Sequence, residues 1–219
     1  MSDEIRRRLE RLDSCAVADA GDALGITTWV PGLAPRSGQP RMVGRCVTVQ
    51  LGAPTEVGAS RHLGTGAVEA SGPGDVIVVA HQARTDCAGW GGNLSRAAKQ
   101  LGLEGTIVHG AVRDVDEAEA IGYSVFASAV TPVTARGRAH EHAWGQAVEL
   151  GGVVVANGDW VLADRSGVVF LAADRVDELL GRAEVIAERE AAMAAEIDAG
   201  APVSSVMGAS YETMLEKTS

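Results

Sequence analysis

The stretch from Gly89 to Glu117 constrains the fold of this chain more than any other part of its sequence. It begins with a glycine-rich loop, continues through a helical pattern over residues 94–101 and a short apolar strand over residues 106–108, and ends near Arg113-Asp114. Glycines permit tight turns where the backbone approaches a ligand, and open α/β sheets place ligand-binding groups just beyond such strands. We therefore predict that the loop and the Arg-Asp pair meet at one end of a sheet.

The residue types in this stretch suit an anion and a hydrated cation. Backbone N–H groups at the start of a helix bind anions, as an arginine does. The residues concerned are Gly91, Gly92, Asn93, Leu94 and Arg113. A carboxylate beside them, that of Asp114, suits hydrated Mg²⁺. The spacing leaves a second interpretation open, in which the Arg-Asp pair only caps the helix that follows.

Six segments of the chain together resemble the RraA-like family. They are Gly72–Val79 (GPGDVIVV), Trp90–Leu94 (WGGNL), Gly110–Glu117 (GAVRDVDE), Thr131–Val133 (TPV), Gly151–Asp164 (GGVVVANGDWVLAD) and Ser166–Phe170 (SGVVF). Twenty residues separate Gly92 from Arg113, which is the family spacing from the loop to the Arg-Asp pair. The family is named after the regulator of ribonuclease activity A. It also includes 4-hydroxy-4-methyl-2-oxoglutarate and 4-carboxy-4-hydroxy-2-oxoadipate aldolases.

The resemblance implies an α/β fold of the α/β/β swivelling-sandwich type, assembled as homotrimers or hexamers. A chain of 219 residues suits one domain. We therefore predict a single RraA-like domain over residues 1–219, with its core at about residues 43–172. Two helices are expected within residues 4–24, and a helix and tail over residues 174–219. Periodicity alone predicts βαβ units followed by short antiparallel strands, and it does not predict the oligomer.

Local patterns add sharper predictions about particular segments. Residues 29–40 contain three prolines and are expected to form a loop. Residues 131–144 are expected to be mostly loop, and residues 62–70 to be helical. Asn157-Gly158 lies between two apolar runs, which is a strong signal for a β-hairpin turn.

By resemblance, the chain would be a divalent-metal-dependent lyase acting on 2-oxo acids. It would cleave a 4-hydroxy-2-oxo acid with release of pyruvate, and oxaloacetate decarboxylation would be a side activity. Arg113 and Asp114 would be catalytic, and Arg113 would bind the pyruvoyl end together with the loop residues Gly91 to Leu94. Mg²⁺ or Mn²⁺ would bind through Asp114 and, by way of water, Glu117.

The chain departs from the family pattern at one position. Aldolases of the family usually carry an acid where this chain has Gly92, and that acid helps to hold the waters of the metal. A neighbouring subunit's C-terminal helix is a further source of carboxylates; the candidates there are Glu184, Glu188, Glu190 and Glu196. Two alternatives stay open: a non-catalytic regulator that inhibits a ribonuclease, and a family member recruited to a specialised pathway with a different substrate.

Other residues suggest chemistry that their context argues against. A nucleotide-binding glycine loop follows a strand and opens a helix, whereas Gly64-Thr65-Gly66 follows a loop. His140 and His142 would share a zinc ion only on an extended segment, and no third ligand is near them in sequence. For Cys87, packing is favoured over reactivity. For His109, contact with the site and a structural role at a strand end are both open.

The net charge and the cysteine content restrict the cellular compartment and the binding partners expected for this protein. The net charge is −10 without a continuous basic stripe, which disfavours nucleic-acid binding. Three widely spaced cysteines and no CxxC motif are typical of a reduced, cytoplasmic protein. The first thirteen residues are charged, unlike a signal peptide. No apolar run approaches the ~20 residues that span a bilayer, so no membrane association is expected.

The charge balance gives a first testable prediction. At physiological salt the purified protein should not retain RNA in a filter-binding assay, because a net charge of −10 repels a polyanion. Submicromolar RNA binding that weakens as salt increases would contradict this expectation.

Overall fold

The computed structural model describes residues 2–54 and 62–208, which form a mixed α/β fold. The elements are α1 (Ser2–Leu9), α2 (Ser14–Leu24), β1 (Ala34–Ser37), β2 (Met42–Gly52), α3 (Thr65–Ala70), β3 (Asp75–Ala80), α4 (Gly92–Gln100), β4 (Gly105–Val112), α5 (Val115–Ala120), β5 (Ser124–Val130), β6 (His140–Trp144), β7 (Val148–Leu150), β8 (Val153–Val155), β9 (Trp160–Ala163), β10 (Val168–Leu171), α6 (Val176–Asp198) and α7 (Val203–Val206). The tail predicted after residue 208 lies outside the described residues.

The main sheet has eight strands in the order β1-β5-β4-β3-β2-β9-β10, with β6 paired to β2. Its centre is parallel, because β2 pairs with β3, β3 with β4 and β4 with β5 in the same direction. Parallel neighbours need crossover connections, and α3, α4 and α5 provide them. The carboxyl ends of β3 and β4 therefore lie side by side, next to the loop that leads into α4.

Two different layers cover the faces of this sheet. Alternate residues of β3 point to opposite faces: Ile77 packs in a cluster with residues of α4, whereas Val78 packs in a cluster with the β7–β8 hairpin. The helix side includes Leu94 and Ala98, and the hairpin side includes Leu150. Helices, main sheet and hairpin thus form three layers, and the predicted α/β/β fold is confirmed.

The terminal helices form a further cluster at the edge of the sheet that contains β9 and β10. Residues of α1, α2 and α6 pack with Leu162 of β9 and Leu171 of β10. The Arg8 guanidinium donates to both carboxylate oxygens of Glu184, at 2.7 and 2.8 Å, and so ties α1 to α6. Within the described residues, no helix combines the length and apolar character needed to cross a membrane.

Two segments expected to be loops contain strands. Within residues 29–40, β1 pairs antiparallel with β5 at the edge of the sheet, where Pro35 is tolerated because no further strand needs its missing N–H. The Arg36 side chain adds hydrogen bonds to the carbonyls of Ala127 and Ser128, at 3.0 and 2.7 Å. Within residues 131–144, β6 pairs with the second half of β2. The predicted helix over residues 62–70 begins only at Thr65.

The predicted Asn157-Gly158 hairpin is wrong, because β8 pairs with β7 and β9 pairs with β2 and β10. Asn157 and Gly158 instead cross between layers, and the Gly158 amide donates to the Cys46 carbonyl of β2 at 2.8 Å. The hairpin turn lies at Gly151-Gly152, where both residues have positive φ (56° and 93°). A turn with two positive φ values is the kind that short hairpins favour.

The Asp164 carboxylate links the start of α2 to the end of β9. It accepts hydrogen bonds from the Ser14 amide at 2.7 Å, the Ser14 hydroxyl at 2.7 Å and the Ser166 amide at 2.8 Å. Burial alone would raise the pKa of Asp164, but these hydrogen bonds outweigh it and the pKa lies below its ordinary value of 3.8.

Asp164→Asn should therefore lower the free energy of unfolding at neutral pH by about 1–2 kcal/mol, as the loss of hydrogen bonds to a charged group does. A carboxyl with a lowered folded pKa stabilises the protein above its unfolded pKa, and this contribution is lost as pH falls through the folded pKa. The difference in melting temperature between the wild type and Asp164→Asn should thus begin to narrow below about pH 4 and close only below the folded pKa. A constant difference in melting temperature from neutral to acidic pH would contradict this role.

Candidate active site

Backbone hydrogen bonds hold the glycine loop before α4 against the end of β4. The Gly89 amide donates to the Ala111 carbonyl at 2.8 Å, and the Arg113 amide donates to the Trp90 carbonyl at 3.1 Å. The Ala88 amide donates to the Val133 carbonyl at 2.9 Å. The loop and the residues that follow β4 are thus joined directly, as the sequence predicted.

The side chain of Trp90 fixes the first turn of α4. Its ring is 2% exposed, and its indole N–H donates to the Ser95 hydroxyl at 2.9 Å. The same hydroxyl donates to the Gly91 carbonyl at 3.2 Å. Because the first N–H groups of a helix have no partners within it, this fixed turn directs the amides of Asn93 and Leu94 toward any ligand at the helix start.

The Asp114 carboxylate turns back to α4. Its Oδ2 accepts from the Gly92 amide at 3.0 Å and lies 3.3 Å from Arg113 Nε. Asp114 has left-handed backbone angles (φ 57°, ψ 36°) and makes no side-chain cap bond to α5, although it directly precedes that helix. The interpretation in which its carboxylate only caps the following helix is therefore wrong. Backbone strain of this kind is concentrated at functional sites.

The two loop glycines allow a close approach of acidic side chains. A Cβ atom on Gly91 would lie 2.9 Å from Asp114 Oδ2, and one on Gly92 would lie 3.2 Å from Asp114 Cβ. The Cβ on Gly92 would also overlap Oε2 of Glu117. The acid that the resemblance expects at position 92 is absent, and the carboxylate of Glu117 takes up that space. The other oxygen of Glu117 accepts from Arg96 at 2.6 Å.

These groups line one cleft of about 170 Å³. Every residue that the sequence predicted for the site lies on its wall: Gly91, Gly92, Asn93, Leu94, Arg113, Asp114 and Glu117. The lining also includes residues that the sequence analysis missed: His62, Leu63, Ala88, Thr134 and Ala135. Thr134 directly follows the TPV segment, so the position of that segment could have indicated it. His62 has no spacing to another motif that would have indicated it.

Comparison with known proteins identifies the family. A family model described as RraA-like, Aldolase/RraA, matches residues 14–170. The chain belongs to the RraA-like family.

Solved structures agree with this assignment. An uncharacterized protein from Pseudomonas syringae superposes with a TM-score of 0.84 at 25% identity, and the match covers 95% of this chain and 98% of that one. The Streptomyces coelicolor protein RraAS2, described as an unusual member of the RNase ES inhibitor RraA protein family, gives a TM-score of 0.77 at 26% identity. That match covers 85% of this chain and 93% of RraAS2.

A relative from Burkholderia multivorans is provisionally named a 4-hydroxy-4-methyl-2-oxoglutarate aldolase. It is 34% identical over 141 residues, which cover 64% of this chain and 80% of that protein. The matches to three other curated relatives span only 30%, 61% and 55% of those proteins' own lengths. RraA-like relatives thus include proteins named as aldolases and proteins named for ribonuclease inhibition.

The RraA-like site offers few protein ligands for a metal. Among residues 2–54 and 62–208, no group of three or more His, Cys, Asp and Glu side chains is placed to hold one. Asp114 and Glu117 are the acidic side chains on the wall of the cleft. Two carboxylates with room for water fit Mg²⁺ or Mn²⁺, which retain several water ligands, and do not fit the closed ligand set of a structural zinc site.

Of the five histidines in this RraA-like chain, only His62 lies on the wall of the cleft. The His142 ring packs over Gly52, and its Nε2 lies 2.9 Å from the Ala53 carbonyl oxygen. His109 faces the β7–β8 hairpin, with Nε2 within 3.6 Å of the Cβ position of Gly151, and burial lowers its pKa. The open question for His109 is therefore decided in favour of a position away from the cleft.

Among the four C-terminal glutamates, Glu184 is paired within the RraA-like chain itself. Glu184 binds Arg8, which holds the pKa of its carboxyl below the ordinary value. Burial and the nearby acids Asp19 and Asp13 raise the pKa of Glu190. Glu188 and Glu196 are exposed on α6. None of the four lines the cleft of its own chain.

Cys87 precedes the glycine loop but is enclosed by the fold. It is fully buried, its sulfur lies 3.7 Å from His81 Nε2, and burial raises the pKa of its thiol. Burial also raises the pKa of Cys46 well above its ordinary value. A thiol with a raised pKa and no solvent access is a poor nucleophile, which supports the packing interpretation.

Alkylation should therefore leave two of the three cysteines unmodified. Iodoacetamide added to the native protein at neutral pH should label neither Cys46 nor Cys87 on a timescale that labels exposed Cys15. Peptide mass spectrometry of native and urea-unfolded samples measures this, with all three labelled after unfolding. Rapid native labelling of Cys87 would contradict its assignment as a packing residue.

Proposed function

We propose that this RraA-like protein is a divalent-metal-dependent lyase that cleaves a 4-hydroxy-2-oxo acid and releases pyruvate. One observation carries the proposal: an arginine, a carboxylate and the first turn of a helix converge in a single cleft. The family match and the name of the Burkholderia multivorans relative support it.

Arg113 and the first turn of α4 would bind the 2-oxo acid end of the substrate. The Gly92 amide already donates to Asp114, so the amides of Asn93 and Leu94 would meet the substrate carboxylate. The Arg113 side chain is 40% exposed, and within the described residues its ion-pair contact is with Asp114, where Nε lies 3.3 Å from Oδ2. Its remaining N–H groups can therefore form the paired bonds that a guanidinium makes to a carboxylate or an enolate.

Asp114 would hold the divalent cation directly, and Glu117 would hold it through water. When bound, the cation would withdraw electrons from the 2-oxo group of the substrate and favour charge on its oxygen. Asp114 is positioned for this by its bond to the Gly92 amide and its contact with Arg113.

The retro-aldol step would break the bond between C3 and C4 of the substrate. The 4-hydroxyl gives its proton to water as C4 becomes a carbonyl, and the bonding electrons pass to C3 to give the enolate of pyruvate. Protonation at C3 then completes pyruvate. Arg113 would stabilise the negative charge on the enolate oxygen, because a donor fixed in advance is most effective where charge develops. Decarboxylation of oxaloacetate forms the same enolate, so the same residues would serve both reactions.

A non-catalytic regulator of a ribonuclease is the second candidate, favoured by the likeness to RraAS2. The enzyme interpretation is preferred because Arg113 and Asp114 face a cleft and remain 40% and 39% exposed. A member recruited to a specialised pathway would keep this site but accept another substrate.

We further propose a cytoplasmic homotrimer or hexamer, in which Glu188 or Glu196 of a neighbouring copy is available to the site.

A substrate screen tests the proposal as a whole. Purified protein with Mg²⁺ is offered 4-hydroxy-2-oxo acids and oxaloacetate, and pyruvate is followed through lactate dehydrogenase. Catalytic release of pyruvate from at least one of them is expected. If no compound releases pyruvate faster than in the protein-free control, the protein is better explained as a non-catalytic regulator or as a family member with a different substrate.

Metal removal gives a sharper prediction. EDTA followed by desalting should abolish pyruvate release, and added Mg²⁺ or Mn²⁺ should restore it, because two carboxylates hold such ions weakly. Zn²⁺, which prefers nitrogen and sulfur ligands, serves as the control ion. Full activity after exhaustive chelation would exclude the metal-dependent mechanism.

Arg113→Lys should lower kcat about 10²-fold or more, since the loss of one fixed donor has that effect and lysine keeps only the charge. Asp114→Asn should be comparably harmful through weaker metal binding, and high Mg²⁺ should partly rescue it. Both melting temperatures should stay near that of the wild type because both side chains are partly exposed. Wild-type kcat in a folded Arg113→Lys variant would remove Arg113 from the mechanism.

A further inference from the structure

We propose that a second cavity beside the cleft binds the tail of the substrate, and that this tail carries hydroxyl groups instead of a second carboxylate. The substrate is then a 3-deoxy-2-oxo sugar acid, with hydroxyls on C4 and on the carbons beyond it. Glu141 and Arg136 recognise these hydroxyls. The assignment rests on the proposed function and deepens it, because it names the half of the substrate that leaves as an aldehyde.

The second cavity adjoins the cleft. It measures about 170 Å³, as the cleft does, and the two have His62, Leu63 and Ala135 in common. Its further lining comes from the loop after β5 and from the start of β6, which carry Arg136 and Glu141. A substrate whose pyruvoyl end is bound in the cleft can therefore extend past the shared residues into the second cavity.

The backbone holds the Glu141 carboxylate at this cavity. Glu141 lies opposite Leu51 in the pairing of β6 with β2, and its Oε2 accepts from the Gly64 amide at 2.6 Å. A Cβ atom on Gly64 would lie 3.2 Å from the Trp90 ring and 3.4 Å from Leu94 Cδ1, so Gly64 packs on residues of the cleft. Within the described residues this is the hydrogen bond that the carboxylate accepts, which leaves Oε1 for a ligand.

The charge of Glu141 decides which tail fits beside it. Among residues 2–54 and 62–208, Glu141 takes part in no ion pair. A carboxylate on the substrate would be repelled by it, and more strongly where protein replaces water. A hydroxyl group would instead donate to Glu141, and a hydrogen bond to a charged acceptor is about twice as strong as a neutral one. The position next to Glu141 therefore selects a hydroxyl group.

Arg136 adds donors at the solvent side of the same cavity. Its amide donates to the Thr134 hydroxyl at 3.2 Å, and the Arg138 amide donates to the Ala135 carbonyl at 2.7 Å, so a tight loop presents it. Arg136 is exposed, whereas Glu141 is partly buried. A hydroxyl both donates and accepts, whereas a carboxylate only accepts. A tail with several hydroxyls therefore satisfies both side chains, and a carboxylate tail satisfies Arg136 alone.

The cleavage of such a substrate is balanced without a further reactant. In a six-carbon sugar acid the bond between C3 and C4 breaks, and its electrons pass to C3. The C4 hydroxyl gives its proton to water as C4 becomes the aldehyde carbon, and C3 takes a proton from water. The products are pyruvate and glyceraldehyde, and the tail hydroxyls are unchanged.

Three substrates with different tails test the proposal. They are 3-deoxy-2-oxohexonate in both configurations at C4, the dicarboxylate 4-hydroxy-2-oxoglutarate, and 4-hydroxy-2-oxobutanoate, which ends at C4 and cannot reach the second cavity. Pyruvate release is followed with Mg²⁺ present, and oxaloacetate is the reference for an active cleft. The kcat/KM for one configuration of the sugar acid should exceed that for the dicarboxylate about 10-fold or more.

Glu141→Gln separates the charge of this residue from its shape. Glutamine keeps an acceptor for the Gly64 amide, so the melting temperature should stay near that of the wild type. The kcat/KM should fall about 10-fold for the sugar acid, rise for the dicarboxylate and stay unchanged for 4-hydroxy-2-oxobutanoate. Arg136→Ala should lower kcat/KM for the sugar acid several-fold. The matched control is Glu149→Gln, an exposed acid of β7, which should change none of the three.

The outcomes distinguish this proposal from the proposed function. Faster cleavage of the dicarboxylate than of the sugar acid by the wild type would show that the tail site takes a carboxylate, and would overturn the proposal. An equal loss for all three substrates in Glu141→Gln would do so too, because it assigns Glu141 a structural role. Pyruvate from oxaloacetate but none from the sugar acid overturns the tail site and leaves the proposed function. No pyruvate from any compound overturns both.

Discussion

The hydrogen bond from the Gly92 amide to the Asp114 carboxylate is the contact on which the site depends (3.0 Å). It joins the start of α4 to the residues that follow β4, and it places Arg113 beside the helix N-terminus. Asp114 adopts a left-handed backbone conformation to make it, at a cost of about 1 kcal/mol or more for a residue other than glycine. The half-exposed contact with Arg113 returns at most about 1 kcal/mol. The strained conformation of Asp114 is consistent with the ligand-binding role that we propose for this site.

The surrounding fold makes this local cost tolerable. β3 and β4 are buried on both faces, between the helices on one side and the β7–β8 hairpin on the other. The loop is hydrogen-bonded to β4 at Gly89 and at Trp90, and the Trp90 indole binds Ser95. A rigid frame of this kind keeps the amides of the first turn fixed before a ligand arrives, which is the condition for electrostatic stabilisation of a developing charge.

Much of this arrangement is readable from the sequence. The order loop, helix, strand and Arg113-Asp114 predicts that these groups meet, because carboxyl ends of parallel strands share one edge of a sheet. The strands β1 and β6 are less visible, since their pairing depends on partners distant in sequence. The Asn157-Gly158 signal fails because the adjoining runs pair with other strands. The place of Glu117 above Gly92 depends on side-chain direction across two helices, which no spacing rule supplies.

Oxalate binding tests the central claim most directly, because oxalate has the shape and charge of the pyruvate enolate that the site is proposed to stabilise. Isothermal titration calorimetry of the wild type with oxalate is performed with saturating Mg²⁺ and again after its removal. We predict binding that requires Mg²⁺ and that weakens at least about 10-fold in Arg113→Lys. Oxalate binding of equal strength without Mg²⁺ and in Arg113→Lys, or none under any condition, would contradict the account.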